Sequence, residues 1–271
     1  DGFHILGFTE NSPIAAMGDP QKHFYGLQFH PEVKHTPVGK EIIKKFLLEI
    51  CQVESKWTSE AIIQRSIDHI QELVGSNTVI GGVSGGVDSS VAAALVSKAI
   101  GKQFNAVFVD TGLLRKGESE LVIESLQGSL DINLHVVKAA EIFFQDLQGV
   151  LDPEQKRKII GNRFIRIFEE QAQLLGDPQF LVQGTIYPDV VESTAPDRME
   201  SETIKTHHNV GGLPEDMRFR LVEPLRYLFK DEVRTIGEQL GLPPSLVWRQ
   251  PFPGPGLAIR CLGEVTPTRI K

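Results

Sequence analysis

Hydrophobic and polar positions follow one pattern up to about residue 55 and another beyond it. Before that point, short apolar runs at 3–8, 14–17 and 24–29 are separated by the turn signals Asn11-Ser12-Pro13 and Gly18-Asp19-Pro20, which predicts three short strands. A helix is predicted over 39–50, where Ile42, Ile43, Phe46 and Leu47 share a face. Residues 51–57 read as a linker. Thr58 or Ser59 can cap the next helix, in which Ile63, Ile67, Ile70 and Val74 recur at helical spacing up to Gly75.

From residue 78 onward, strand-like and helical stretches alternate. Strands are predicted over 78–83, 104–109, 134–137 and 180–183, with helices over 89–100, 117–127 and 153–175. A last helix over 230–240 ends at Gly241-Leu242-Pro243-Pro244. The segment 251–256, with three prolines and two glycines, is too stiff and broken for regular structure. Alternation of this kind predicts an α/β fold, a doubly wound parallel sheet with helices on both faces and ligands at the carboxyl ends of its strands.

The first of these strands runs into Ser84-Gly85-Gly86-Val87-Asp88-Ser89-Ser90, and a helix follows at once. Strand, glycine loop and helix together present free N–H groups and a positive helix terminus to a phosphate. Gly85 and Gly86 permit close backbone approach, and Ser84, Ser89 and Ser90 add hydroxyls. No Lys precedes the serine pair, so this is not a Walker A loop. A carboxylate beside phosphates needs a cation between them, so Asp88 implies Mg²⁺. The plain alternative is an ordinary strand-to-helix turn, which has no need of two glycines, serines and an acid together.

Four later segments carry further chemistry. Residues 107–112 end the neighbouring strand, where backbone groups commonly meet an adenine and Asp110 can face a ribose; a capped strand end is the other reading. Lys156, Arg157 and Lys158 stand near a helix start, where cations oppose the helix dipole, so either a bound anion or a solvated charged face accounts for them. Residues 183–193 bring two carboxylates, Asp189 and Glu192, to a strand end, facing metal or ribose or simply decorating a loop. Lys205, His207 and His208 precede Gly211-Gly212, which reads as a glycine-tailed lid reaching a phosphate; adjacent histidines rarely share one zinc.

Composition narrows the setting. A 271-residue chain, 41% hydrophobic and 23% charged, has ample material for a globular core. Its formal net charge of −7 gives no overall footprint for nucleic acid or acidic membranes. Two cysteines far apart suggest neither a disulfide framework nor a zinc site, and a reducing cytoplasm is the expected setting. No run is long enough to span a bilayer and no signal-peptide pattern opens the chain. Starting at Asp1-Gly2-Phe3 without Met, it reads as a piece of a longer protein.

Residues 84–90 resemble the SGGxDS loop of the PP-loop ATP pyrophosphatases. With KRKIIG at 156–161, QGTIYPDVVES at 183–193, IKTHHNVGGLP at 204–214, the run at 221–243 and RQPFPGPGLAIR at 249–260, the resemblance is to the glutamine-hydrolysing GMP synthase family, over essentially the whole chain. It implies three parts: the C-terminal part of a class I glutamine amidotransferase domain at 1–54, an adenine nucleotide α-hydrolase-like synthetase domain at 55–250, and the start of a dimerisation domain at 251–271. Residues 84–90, with Val109 and Gly184, would hold ATP and its pyrophosphate end, and Asp88 the Mg²⁺. Asp88 and Lys205 would be catalytic, Arg157 would bind the XMP phosphate, His207 and His208 would form the lid, and Lys230 and Asp231 would support the site. XMP, ATP and ammonia or glutamine are the implied partners, with a homodimer for the full-length protein and no nucleic acid or membrane.

The opening segment resembles the end of the amidotransferase domain through Tyr25-Gly-Leu-Gln28-Phe-His30-Pro31-Glu32. By that resemblance His30 would be a general base and Glu32 its orienting carboxylate. No Cys precedes His30, and neither Cys51 nor Cys261 has a glycine-flanked elbow, so this chain is expected not to hydrolyse glutamine. The nearest rival is another PP-loop enzyme such as an NAD synthetase, which is not expected to carry KRKIIG, IKTHHN and PFPGPGL together. A non-catalytic ATP-binding module is the second rival, and Asp88 argues against it.

Overall fold

The computed structural model describes residues 2–54, 57–128, 130, 132–193, 219–252 and 254–270. The chain forms two compact units, Asp1–Thr58 and Ser59–Lys271.

The first unit is an antiparallel three-stranded sheet, β1 (His4–Thr9), β2 (Ser12–Asp19) and β3 (Phe24–Leu27), followed by helix α1 (Gly39–Lys45). The predicted helix over 39–50 changes character part-way, since Phe46–Ile50 is wound as a π-helix. Asp19 closes the turn after β2 by accepting from the N–H groups of Gln21 and Lys22. Among the described residues Ala15 is the one buried hydrophobic residue of this unit.

In the second unit, helix α2 (Ser59–Val74) leads into β4 (Val79–Gly82), α3 (Val87–Ile100), β5 (Phe104–Asp110), α4 (Glu118–Ile123), β6 (Leu134–Lys138), α5 (Ala140–Asp146), α6 (Pro153–Leu174), β7 (Phe180–Val182) and α7 (Tyr187–Ser193). After them come β8 (Arg220–Val222), α8 (Lys230–Gln239) and the short helices α9 (Pro244–Val247) and α10 (Pro267–Ile270). All four strand pairings are parallel, in the order β6-β5-β4-β7-β8. The doubly wound sheet expected from the alternation is therefore present, with β8 as a fifth strand that three residues are too few to announce.

Period-two alternation explains why both faces are covered. Val79, Ala106, Phe108, Phe180 and Val182 pack into one core with α2, α3, α4 and α8. Their neighbours Ile80, Val107, Val109 and Leu181 point into the other, with Phe143 of α5 and Ile160, Ile167 and Phe168 of α6. α3 is buried almost all round, because it lies between the sheet and α2 and α8, so its sequence is apolar rather than amphipathic. Among the described residues no helix is long and apolar enough to cross a membrane.

Candidate functional site

The strand order reverses between β4 and β7, which places a crevice at their carboxyl ends. Residues 84–90 occupy that point. Gly86 is the extended N-cap of α3, and the loop's own serines organise the turn before it. The Ser89 hydroxyl donates to Gly86 O (3.0 Å) and stands 3.2 Å from Ser84 Oγ, while Gly86 N–H reaches Ser84 Oγ at 3.3 Å. Gly85 has φ +75°, and a Cβ there would stand 2.5 Å from Val122 Cγ2, so both backbone and space require glycine. Ser90 is fully buried, and its hydroxyl makes no hydrogen bond among the described residues.

Two elements close on this loop. From β7, Gly184 comes so near that a Cβ would lie 3.1 Å from Asp88 C and 3.2 Å from Ser89 N. From α8, Lys230 Nζ donates to both oxygens of Asp88, at 2.8 and 2.6 Å. Lys230 is the first residue of α8, where the helix dipole disfavours a cation, so Asp88 offsets that position's cost. Tyr187 and Phe229 meet edge to face (5.2 Å between ring centres) and Tyr187 N–H donates to Leu228 O, joining the start of α7 to that of α8. Val109 is buried at the end of β5, beside β4. Asp110 turns its carboxylate back to accept from Gly112 N–H at 3.1 Å, as a capped strand end does.

Other expected site residues have partners of their own. Arg157 pairs with Glu154 at 2.9 Å on its own helix. Lys156 is fully buried and donates to Cys261 O (2.8 Å) and Gly263 O (2.6 Å), while Lys158 is exposed, so the three cations do not converge on one anion. Asp231 is exposed and pairs with Arg234 at 3.4 Å. Residues 187–193, read as part of a polar strand-end loop, form α7, with Asp189 accepting from Ile186 N–H at its start. Lys205, His207 and His208 lie outside the described residues.

In the first unit His30 Nδ1 stands 2.8 Å from Glu32 Oε1, both side chains exposed. A hydrogen bond from its own backbone N–H, then one from His30, holds the Glu32 carboxyl below the usual glutamate range. Cys51 and Cys261 are both free thiols. Arg249 escaped the sequence reading as a site residue: its guanidinium nitrogens lie 3.5 and 3.6 Å from where a Cβ on Gly85 would stand. The motif RQPFPGPGLAIR contains it, but nothing in that string alone points to the loop.

Residues 1–50 match the family described as glutamine amidotransferase class-I, and residues 61–166 match NAD synthase. Over 270 residues, all of this chain, it is 58% identical to the glutamine-hydrolysing GMP synthase of Carboxydothermus hydrogenoformans, covering 52% of that protein. The corresponding enzyme of Caldicellulosiruptor saccharolyticus is also 58% identical, over 272 residues, with 53% of its length covered. The chain belongs to the GMP synthase family. It spans about half the length of the GMP synthases it matches. Among solved structures, an NMN synthetase from Francisella tularensis aligns with TM-score 0.55 at 18% identity, covering 74% of this chain and 78% of that one. An ammonia-dependent NAD synthetase from Campylobacter jejuni aligns with TM-score 0.54 at 17% identity, covering 71% and 77%. At such identities these two speak for the fold alone.

Proposed function

We propose that this chain carries the ATP-dependent synthetase machinery of a GMP synthase, aminating XMP to GMP at the expense of ATP cleaved to AMP and pyrophosphate. The observation that carries the reading is the 84–90 loop at the sheet's switch point, with Asp88 and Lys230 at its rim, in a chain 58% identical to GMP synthases. In the first step the C2 oxygen of XMP attacks the α-phosphorus and pyrophosphate leaves; ammonia then displaces AMP at C2. A carbonyl oxygen is a poor leaving group, and adenylation turns it into a good one.

The chain's own part is positioning and charge. N–H groups of the loop and the α3 terminus hold the departing pyrophosphate, and the serine hydroxyls add donors. One carboxylate at a phosphate loop suits Mg²⁺, which is bound through one or two carboxylates plus substrate phosphates, so Asp88 fits that ion. Bound there, the ion would neutralise phosphate charge; Lys230, which contacts both oxygens of Asp88, adds a positive charge at the same rim. Arg157 binding the XMP phosphate, Lys205, His207 and His208 as a lid, and Asp231 as support remain part of this reading, as do a homodimer in the full-length protein and a cytoplasmic setting. The His30–Glu32 pair belongs to the glutaminase, with glutamine as ammonia source in the whole protein.

The test mixes the chain with MgATP, XMP and ammonium, or glutamine in parallel, and follows pyrophosphate and GMP. GMP from ammonium and none from glutamine is expected. Pyrophosphate released without XMP would point to a different acceptor and overturn the reading.

A further inference from the structure

Two arginines share one carboxylate beside the glycine loop. Arg249 follows the fully buried Leu246 and Val247, and Trp248 is tied to α8 through its indole N–H on Glu238, so its backbone is firmly placed. Its side chain is 15% exposed, its guanidinium lies 2.7 Å from Glu118 Oε1, and Arg115 Nη1 is 3.8 Å from the same oxygen. Glu118, itself 5% exposed, also accepts from Arg115 N–H at 2.9 Å. Two guanidiniums on one carboxylate leave one net positive charge next to Gly85. Close as they are, Arg249 Nη1 and Glu118 Oε1 form no directed hydrogen bond among the described residues, so the arginine keeps donor capacity that burial makes costly to leave unused. Burial holds the Arg249 pKa below the ordinary arginine value, with Glu118 opposing and Arg115 adding to that shift.

We propose that Arg249 is a positioning residue for polyphosphate in the 84–90 loop, its guanidinium held by Glu118 beside Gly85 as a fixed positive charge for the bound anion. The proposal rests on the reading of that loop as a pyrophosphate site. A charge in a poorly solvated setting acts on a nearby anion far more strongly than an exposed one. Glu118 opposes that action, because it neutralises part of the charge while holding it in place. The two residues therefore have opposite expected effects, which a merely structural pair would not show.

The experiment measures calorimetric binding of inorganic pyrophosphate, MgATP and AMP to the full chain and to Arg249→Gln, Arg249→Lys and Glu118→Gln, with a thermal melt for each. Arg249→Gln is expected to weaken pyrophosphate and MgATP by about tenfold or more, as loss of a charge-assisted contact does, and to change AMP binding little. Arg249→Lys keeps the charge and should recover part of that loss. Glu118→Gln should hold or raise pyrophosphate affinity even if its melting point falls. Unchanged pyrophosphate affinity in Arg249→Gln, or an equal loss for pyrophosphate and AMP in both Arg249→Gln and Glu118→Gln, would overturn the proposal. A wild-type chain that binds neither pyrophosphate nor MgATP would overturn the loop reading itself.

Discussion

Asp88 illustrates how much chemistry one residue type in one position can disclose, and what it withholds. A carboxylate in a phosphate-type loop calls for a cation, and from the string alone that cation reads as Mg²⁺. Lys230, 142 positions away, donates to both Asp88 oxygens, and no local pattern links the two. Both side chains are about one-third exposed, so their attraction is worth about 1 kcal/mol or less to stability. Asp88→Asn should therefore melt nearly like the parent while losing pyrophosphate release from MgATP and XMP by about a hundredfold or more; equal activity would remove Asp88 from the mechanism. Gly85 should behave the other way. Gly85→Ala places a methyl against Val122 at a left-handed φ, and should cost on the order of 1–3 kcal/mol in urea unfolding as well as nucleotide binding. In the first unit, Glu32 has a lowered pKa, so the stability its contacts give is present above the unfolded glutamate value and fades as pH falls through the folded one. His30→Ala should move the Glu32 titration, followed by carboxyl carbon NMR, part of the way back up, since a backbone hydrogen bond remains.

At the scale of elements, helical geometry decides what the run of three cations does. Successive residues on a helix are turned by about 100°, so Lys156, Arg157 and Lys158 cannot share a face. Lys156 falls in line with Ile160 and Ile167 and is carried inward; Arg157 lands on a flank beside Glu154; Lys158 points to water. Composition near the helix start left either an anion or a solvated charged face open, whereas the partners of the buried Lys156 are carbonyls about 105 residues later that no spacing argument reaches. Strands β4 to β7 were legible as short, mostly apolar stretches; α5, α7 and β8 were not, being seven residues or fewer with no complete amphipathic period. Lys156→Met keeps the volume and leaves two carbonyls without their donor. It should cost on the order of 2–4 kcal/mol, with hydrogen exchange accelerating first in residues 256–263. Uniform acceleration across the second unit would mean that Lys156 supports the core at large rather than that segment.

The two units of the chain differ most in what they bury. From Ile62 onward nearly every strand and helix contributes to one of two cores on either side of a five-stranded sheet, the arrangement from which a stability of roughly 5–15 kcal/mol follows. Among the described residues before 59, Ala15 is the one buried hydrophobic residue, while Ile5 is 60% and Phe8 80% exposed, and a three-stranded sheet with so little covered apolar surface is marginal in water. Urea should accordingly unfold the chain in two steps. The first should be shallow, with a small dependence on denaturant, and should remove amide protection from β1–β3; the second should release β4, β5 and β7 together. A ligand that binds only the folded second unit adds about 2.7 kcal/mol at a hundred times its Kd, so saturating MgATP should raise the second midpoint. One transition, with the amides of β2 as protected as those of β4, would contradict this account of where the stability resides.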